Sequence, residues 1–125
     1  MAVLTVTDER FQASTGRKMT AAVKCELDRI VEALVKTGIV SKIILFGSYA
    51  RGEETPESDV DLCVLTPEKD KHPIDLMVDL MREVRKIRKA PTDLLAYNQE
   101  HFYRTAERPT SFEHEIAKEG VLIYG

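Results

Sequence analysis

The sequence has no tryptophan and only two cysteines in 125 residues. Cys25 and Cys63 are too few and too far apart for a thiolate metal cage, which needs more ligands at closer spacing. They also give no disulfide framework of the kind that staples small secreted domains. Both fall within apolar patterns, so both are expected to be small buried thiols. An excess of positive charge is missing too. Lys plus Arg total 18 against 21 for Asp plus Glu, a formal charge of −3, which argues against a globally basic nucleic-acid binder. No apolar stretch approaches the roughly 18 residues of a membrane-spanning helix. The opening residues, Met1 to Arg10, lack a basic flank followed by a long apolar segment, so no secretory leader is expected and the cytoplasm is the default location. Neither a Walker phosphate loop nor a dinucleotide glycine fingerprint is present. His72, His101 and His114 have no metal-ligand spacing and are expected to be surface or structural.

What remains is 43% hydrophobic and 31% charged, the balance of an ordinary globular chain of one domain. Residues 1–19 show no clear period and are expected to form an arm or short leading element. From Thr20 the pattern turns helical: Ala22, Val23, Leu27, Ile30, Val31 and Leu34 recur at steps of three and four, and Gly38 suits a stop. Val40 to Phe46 is a short, nearly continuous apolar run rich in β-branched residues, the pattern of a buried strand. Gly47 to Ser58 is a polar turn with room for a short helix at its start. Val60 to Leu65 predicts a second strand. Pro73 opens a helix whose apolar stripe is expected to be Ile74, Met77, Val78, Met81, Val84 and Ile87. A third strand follows Pro91 over Asp93 to Tyr97, then one or two short helices over 98–119, and a last strand or tail at Val121 to Tyr124. One long connection joins the second and third strands. The expected fold is therefore α/β (α+β), a mixed sheet with helices packed mainly on one face.

The chemistry concentrates in Phe46-Gly47-Ser48-Tyr49-Ala50-Arg51-Gly52 and Ser58-Asp59-Val60-Asp61-Leu62. Asp59 and Asp61 enter a strand two residues apart, so their side chains share one face. Neighbouring carboxylates repel, and one tends to keep its proton unless a cation joins them. All-oxygen ligation favours magnesium or manganese over zinc. Asp93 opens the third strand. If that strand lies beside the second, three carboxylates meet at one edge and can hold two metals roughly 3.5–4 Å apart, the geometry of in-line phosphoryl or nucleotidyl displacement. Gly47 lets the backbone approach a ligand, and Ser48 adds a hydroxyl donor. Arg51 is placed to brace the carboxylates or touch a phosphate. Each piece alone is commonplace in structural turns. Their combination, a strand, Gly-Ser, ten intervening residues, Asp-x-Asp entering a strand and a later strand aspartate, is far more specific.

Gly47-Ser48, Ala50-Arg51-Gly52, Ser58-Asp59 and Asp61-Leu62 closely resemble the signature of the DNA polymerase β-like nucleotidyltransferase superfamily. Within it the chain is similar to the minimal nucleotidyltransferases, over residues 20–97, with 20–125 as a single domain. The resemblance implies the nucleotidyltransferase fold, magnesium, and a nucleoside triphosphate, most often ATP. It implies Gly47 and Ser48 at the triphosphate, Asp59 and Asp61 as metal ligands, and Asp93 as the third catalytic carboxylate and metal ligand. Arg51 matches a usual position of the signature. Minimal members often accompany a small helical HEPN-type protein as the antitoxin of a pair, which implies transfer of AMP onto a tyrosine of that partner. Two other readings stand beside it: a small-molecule nucleotidyltransferase whose homodimer supplies the acceptor site, and a non-catalytic partner-binding module. No membrane or nucleic-acid partner is expected.

Two further features call for placement. Arg82, Arg85, Lys86, Arg88 and Lys89 crowd the end of the helix before the third strand, as a solvated face or as a patch for an anionic or acidic partner. Tyr97, Phe102, Tyr103, Phe112 and Tyr124 cluster late in the chain, where core or interface packing is the expected role and one ring is available to stack on a base.

Overall fold

Continuous apolar runs such as Ile43–Phe46 suit a strand covered on both faces, and that is how they are used. The computed structural model describes residues 21–53, 58–88 and 91–125. The expected arm over 1–19, and Lys89 of the basic stretch, lie outside these residues. The elements are α1 (Ala21–Val35), β1 (Lys42–Phe46), α2 (Ser48–Arg51), β2 (Val60–Thr66), α3 (Pro73–Arg85), β3 (Thr92–Asn98), α4 (Gln99–Ala106), α5 (Phe112–Glu119) and β4 (Val121–Tyr124). They form a four-stranded sheet in the order β3-β2-β1-β4. β1 runs antiparallel to both β2 and β4, whereas β2 and β3 are parallel. Parallel neighbours need a crossover, and α3 supplies it. The sheet is thus mixed and the fold α+β, as the spacing of elements predicts.

Alternation along the strands sorts the core into two layers. Ile43 and Leu45 of β1, with Leu62 and Val64 of β2, face the two long helices, α1 through Leu27, Ile30, Val31 and Leu34 and α3 through Leu76, Leu80 and Val84. On the opposite face Ile44, Cys63 and Leu65 meet Phe102 of α4 and Ile116 of α5. The two long helices share one face, and the two short ones cover part of the other. No helix among the described residues is long and apolar enough to cross a membrane.

Two expectations are corrected. The buried stripe of α3 is Leu76, Leu80 and Val84, with Met77, Met81 and Ile87 half-buried beside it. Ile74 and Val78 are 61% and 53% exposed. Both stripes follow the same four-residue step, and the leucines take the sheet while Ile74 and Val78 turn outward. Leu80→Ala should therefore cost about 2–5 kcal/mol in a denaturant melt, and Val78→Ala within about 0.5 kcal/mol of nothing. Cys25 is exposed, not buried. It lies two residues from Leu27, which on a helix is the far side from the buried stripe. Cys63 is buried as expected, and burial pushes its thiol well above the ordinary range.

The histidines serve local structure. His72 caps α3, its Nδ1 accepting from the Ile74 N–H at 3.1 Å. His114 Nδ1 lies 2.9 Å from the Ala106 carbonyl, and the His101 ring stacks on Tyr97.

Candidate active site

Strand direction alone assembles the site. β1 ends where its antiparallel neighbour β2 begins, and β2 begins beside the start of its parallel neighbour β3. The register accordingly sets Phe46 beside Asp61 and Asp61 beside Asp93 in one row across three strands. Asp59 precedes the row by two residues and is exposed, as is Asp93; Asp61 is half-buried. Two aspartates distant in sequence thus become lateral neighbours, as the sequence predicts if β3 lies beside β2.

Gly47 closes the row from above. Its φ is 77° and its ψ −156°, a region open almost only to glycine. A Cβ at this position would overlap the Asp61 carboxylate, meeting Oδ2 first. The bend therefore packs directly on the central carboxylate. Ser48 follows as the first residue of α2. Its hydroxyl makes no hydrogen bond among the described residues. The first N–H groups of a helix have no carbonyl partner within it, so the bend offers donors and the row offers acceptors.

Negative charge dominates this corner. Burial, then the charges of Asp93 and Asp59, hold the Asp61 carboxyl above its ordinary range, and the Arg51 guanidinium opposes them weakly. Arg51 is itself engaged: Nε donates to Glu53 Oε1 at 2.8 Å, and a second nitrogen donates to Glu119 Oε1 at 3.2 Å. It ties α2 to the end of α5, which makes it a brace in this arrangement. Among the described residues no group of three or more acidic, histidine or cysteine side chains is arranged to hold a metal ion. The donor set still suits a hard divalent cation. It consists of carboxylate oxygens, it is short of positive charge, and Asp59, Asp61 and Asp93 are the residues able to supply the ligands.

Two neighbours of the row were not legible as such in the sequence. Phe112 is 56% exposed and stands edge-on to Phe46, ring centroids 6.0 Å apart. Phe102, by contrast, is fully buried in the second layer. On the other side, a groove of about 380 Å³ runs between α3 and β3, lined by Met77, Val78, Met81, Arg85 and Arg88 and reaching Asp93. Its sequence signals are Val78, in an apolar step that reads equally well as core, and the basic stretch that contains Arg85 and Arg88.

The family model described as "Polymerase beta, Nucleotidyltransferase" matches residues 28–125. The chain belongs to this nucleotidyltransferase family. Three proteins of Methanocaldococcus jannaschii that carry the name "Putative protein adenylyltransferase" are similar to this nucleotidyltransferase. MJ0604 is 33% identical over 87 residues, 70% of this chain and 81% of the relative. MJ1379 is 39% identical over 62 residues, 50% of this chain and 62% of the relative. MJ0435 is 38% identical over 73 residues, 58% of this chain and 75% of the relative. Among solved structures, a crystal structure described as a putative nucleotidyltransferase from Sulfolobus solfataricus aligns over 87% of this chain and 90% of that one, with 19% identity and a TM-score of 0.48.

Proposed function

We propose that this nucleotidyltransferase transfers AMP from ATP to a protein hydroxyl, and that the acceptor is a tyrosine of a helical HEPN-type toxin for which the chain is the antitoxin. The protein-acceptor part draws on the names of the M. jannaschii relatives. The partner part draws on the resemblance of the segment Gly47 to Leu62 to minimal nucleotidyltransferases.

One observation carries the chemistry: Asp61 and Asp93 are register neighbours, and Gly47 rests on the Asp61 carboxylate. Asp59 and Asp61 would hold the cations that accompany the triphosphate, with Gly47 and Ser48 against its phosphates. Asp93 would join them as a ligand on the side of the acceptor. Magnesium, when bound, neutralises the triphosphate and stabilises charge on the displaced oxygens. The acceptor oxygen forms a bond to the α-phosphorus, the bond from that phosphorus to the bridging oxygen breaks, and pyrophosphate leaves. The hydroxyl proton passes to Asp93. The remaining contribution of the protein is alignment of the two oxygens.

The test is co-expression with the product of the adjacent reading frame, followed by incubation with magnesium and ATP labelled at the α-phosphate. Label should appear on a tyrosine of that partner, and none should appear from γ-labelled ATP. Label found only on small hydroxyl compounds, or none at all, contradicts the proposal.

A further inference from the structure

We infer that the groove between α3 and the outer edge of β3 docks an extended, aliphatic and acidic segment of the acceptor protein and guides its hydroxyl to Asp93. The inference rests on the reading that Asp93 faces the acceptor.

Four observations converge on this occupant. The groove reaches the strand that carries the row: Thr92, Asp93 and Leu94 line it, and Asp93, whose side chain alternates onto the face of the sheet opposite α3, is the register neighbour of Asp61. Its floor is aliphatic: Met77 and Met81 are half-buried, and Val78 is 53% exposed beside them. Such a surface gains free energy by covering apolar area. β3 is the outermost strand and, among the described residues, pairs only with β2. An unpaired edge is a template for an added strand, which takes backbone hydrogen bonds and sends alternate side chains to the floor.

Charge decides the chemistry of the segment. Arg82 and Lys86 each face a neighbouring carboxylate, Arg82 at 3.6 Å from Asp79, which also pairs with Lys71, and Lys86 at 3.2 Å from Glu83. Arg85 and Arg88 line the groove and make no ion pair among the described residues. Among the described residues the two cations that line the groove have no carboxylate of their own, so a carboxylate-bearing segment fits and a basic one is repelled. An RNA strand would meet an aliphatic floor in a chain of net charge −3, without the basic track that phosphates need.

Fluorescence anisotropy with purified full-length protein tests this directly. The probe is a labelled peptide of leucine, glutamate and one tyrosine, beside a matched peptide with lysine in place of glutamate. The glutamate peptide should bind and the lysine peptide should not. Arg85→Glu with Arg88→Glu, and separately Val78→Asp, should each weaken binding by about tenfold or more. All three positions are exposed, and an unchanged KM for ATP shows that the fold and the triphosphate site persist. Asp61→Asn should bind the peptide as wild type does. The inference is overturned by no binding, by equal binding of both peptides, by tighter binding of a single-stranded RNA, or by self-association that Val78→Asp abolishes. Failure of the two proposals is separable. Peptide binding without AMP transfer removes the activity and leaves the docking surface. AMP transfer to a partner with an unchanged acceptor KM in the charge-reversal variant removes the docking surface and leaves the activity.

Discussion

Asp61→Asn is expected to abolish AMP transfer and, in metal-free buffer at neutral pH, to make the protein more stable. Loss of transfer follows from position. Asp61 is the centre of the row, between Phe46 and Asp93 and beneath Gly47, and removing a charge that holds the nucleotide's cations should cost roughly a thousandfold or more. The gain in stability follows from electrostatics. Burial and the charges of Asp93 and Asp59 disfavour the ionised form, so the Asp61 carboxyl lies above its ordinary range in the folded protein. In the pH window between its unfolded and folded values, the native state binds more protons than the unfolded state, and stability falls as pH rises through that window. The charged side chain is therefore destabilising at neutral pH, and asparagine removes that cost. A rise in melting temperature is expected. The difference between variant and wild type should shrink as pH is lowered through the raised Asp61 value, because wild type then loses the same charge by protonation. A variant that melts below wild type at neutral pH without metal would show that Asp61 is favourably paired instead. Function maintained against stability is the familiar trade at such sites.

Gly47→Ala should damage both stability and transfer. Alanine is strained at a φ of 77° and ψ of −156°, by about 1–3 kcal/mol. Its methyl would also displace the Asp61 carboxylate, and a small shift of a positioned group is enough to cost a large factor in rate. Gly38 provides the control. Its φ is 79°, but an added Cβ meets nothing within 4 Å. Gly38→Ala should lower the melting temperature and leave transfer per folded molecule unchanged. Transfer by Gly47→Ala at the wild-type rate, normalised to folded protein, would detach the bend from the site.

Strands are legible because their apolar runs are short and nearly continuous: Ile43 to Phe46, and Leu62 to Leu65 after Val60 and Asp61, suit burial on both faces of a sheet. The candidate site residues stand out in the sequence because aspartates at the mouth of such a run have no structural use for their charge. What strand order contributes is different. Nothing in the chain between residues 61 and 93 states that these two are lateral neighbours; that comes from α3 returning the chain parallel to β2. The facing of α3 was not legible, since Leu76-Leu80-Val84 and Ile74-Val78 obey one periodicity and only the sheet chooses between them. Cys25 failed for a related reason: apolar neighbours at positions 22 and 23 suggest burial, whereas the helical angle from Leu27 turns the thiol away. Phe112 could not be assigned from sequence because a late aromatic cluster does not reveal which ring remains outside.

Anomalous diffraction at the manganese edge, from crystals grown with manganese and a non-hydrolysable ATP analogue, tests the central claim most directly. Manganese should lie in contact with Asp59 and Asp61, with the triphosphate against Gly47 and Ser48 and Asp93 facing the α-phosphorus. Manganese and nucleotide bound away from that row, or nucleotide bound there with its phosphates turned from Gly47, would contradict the account.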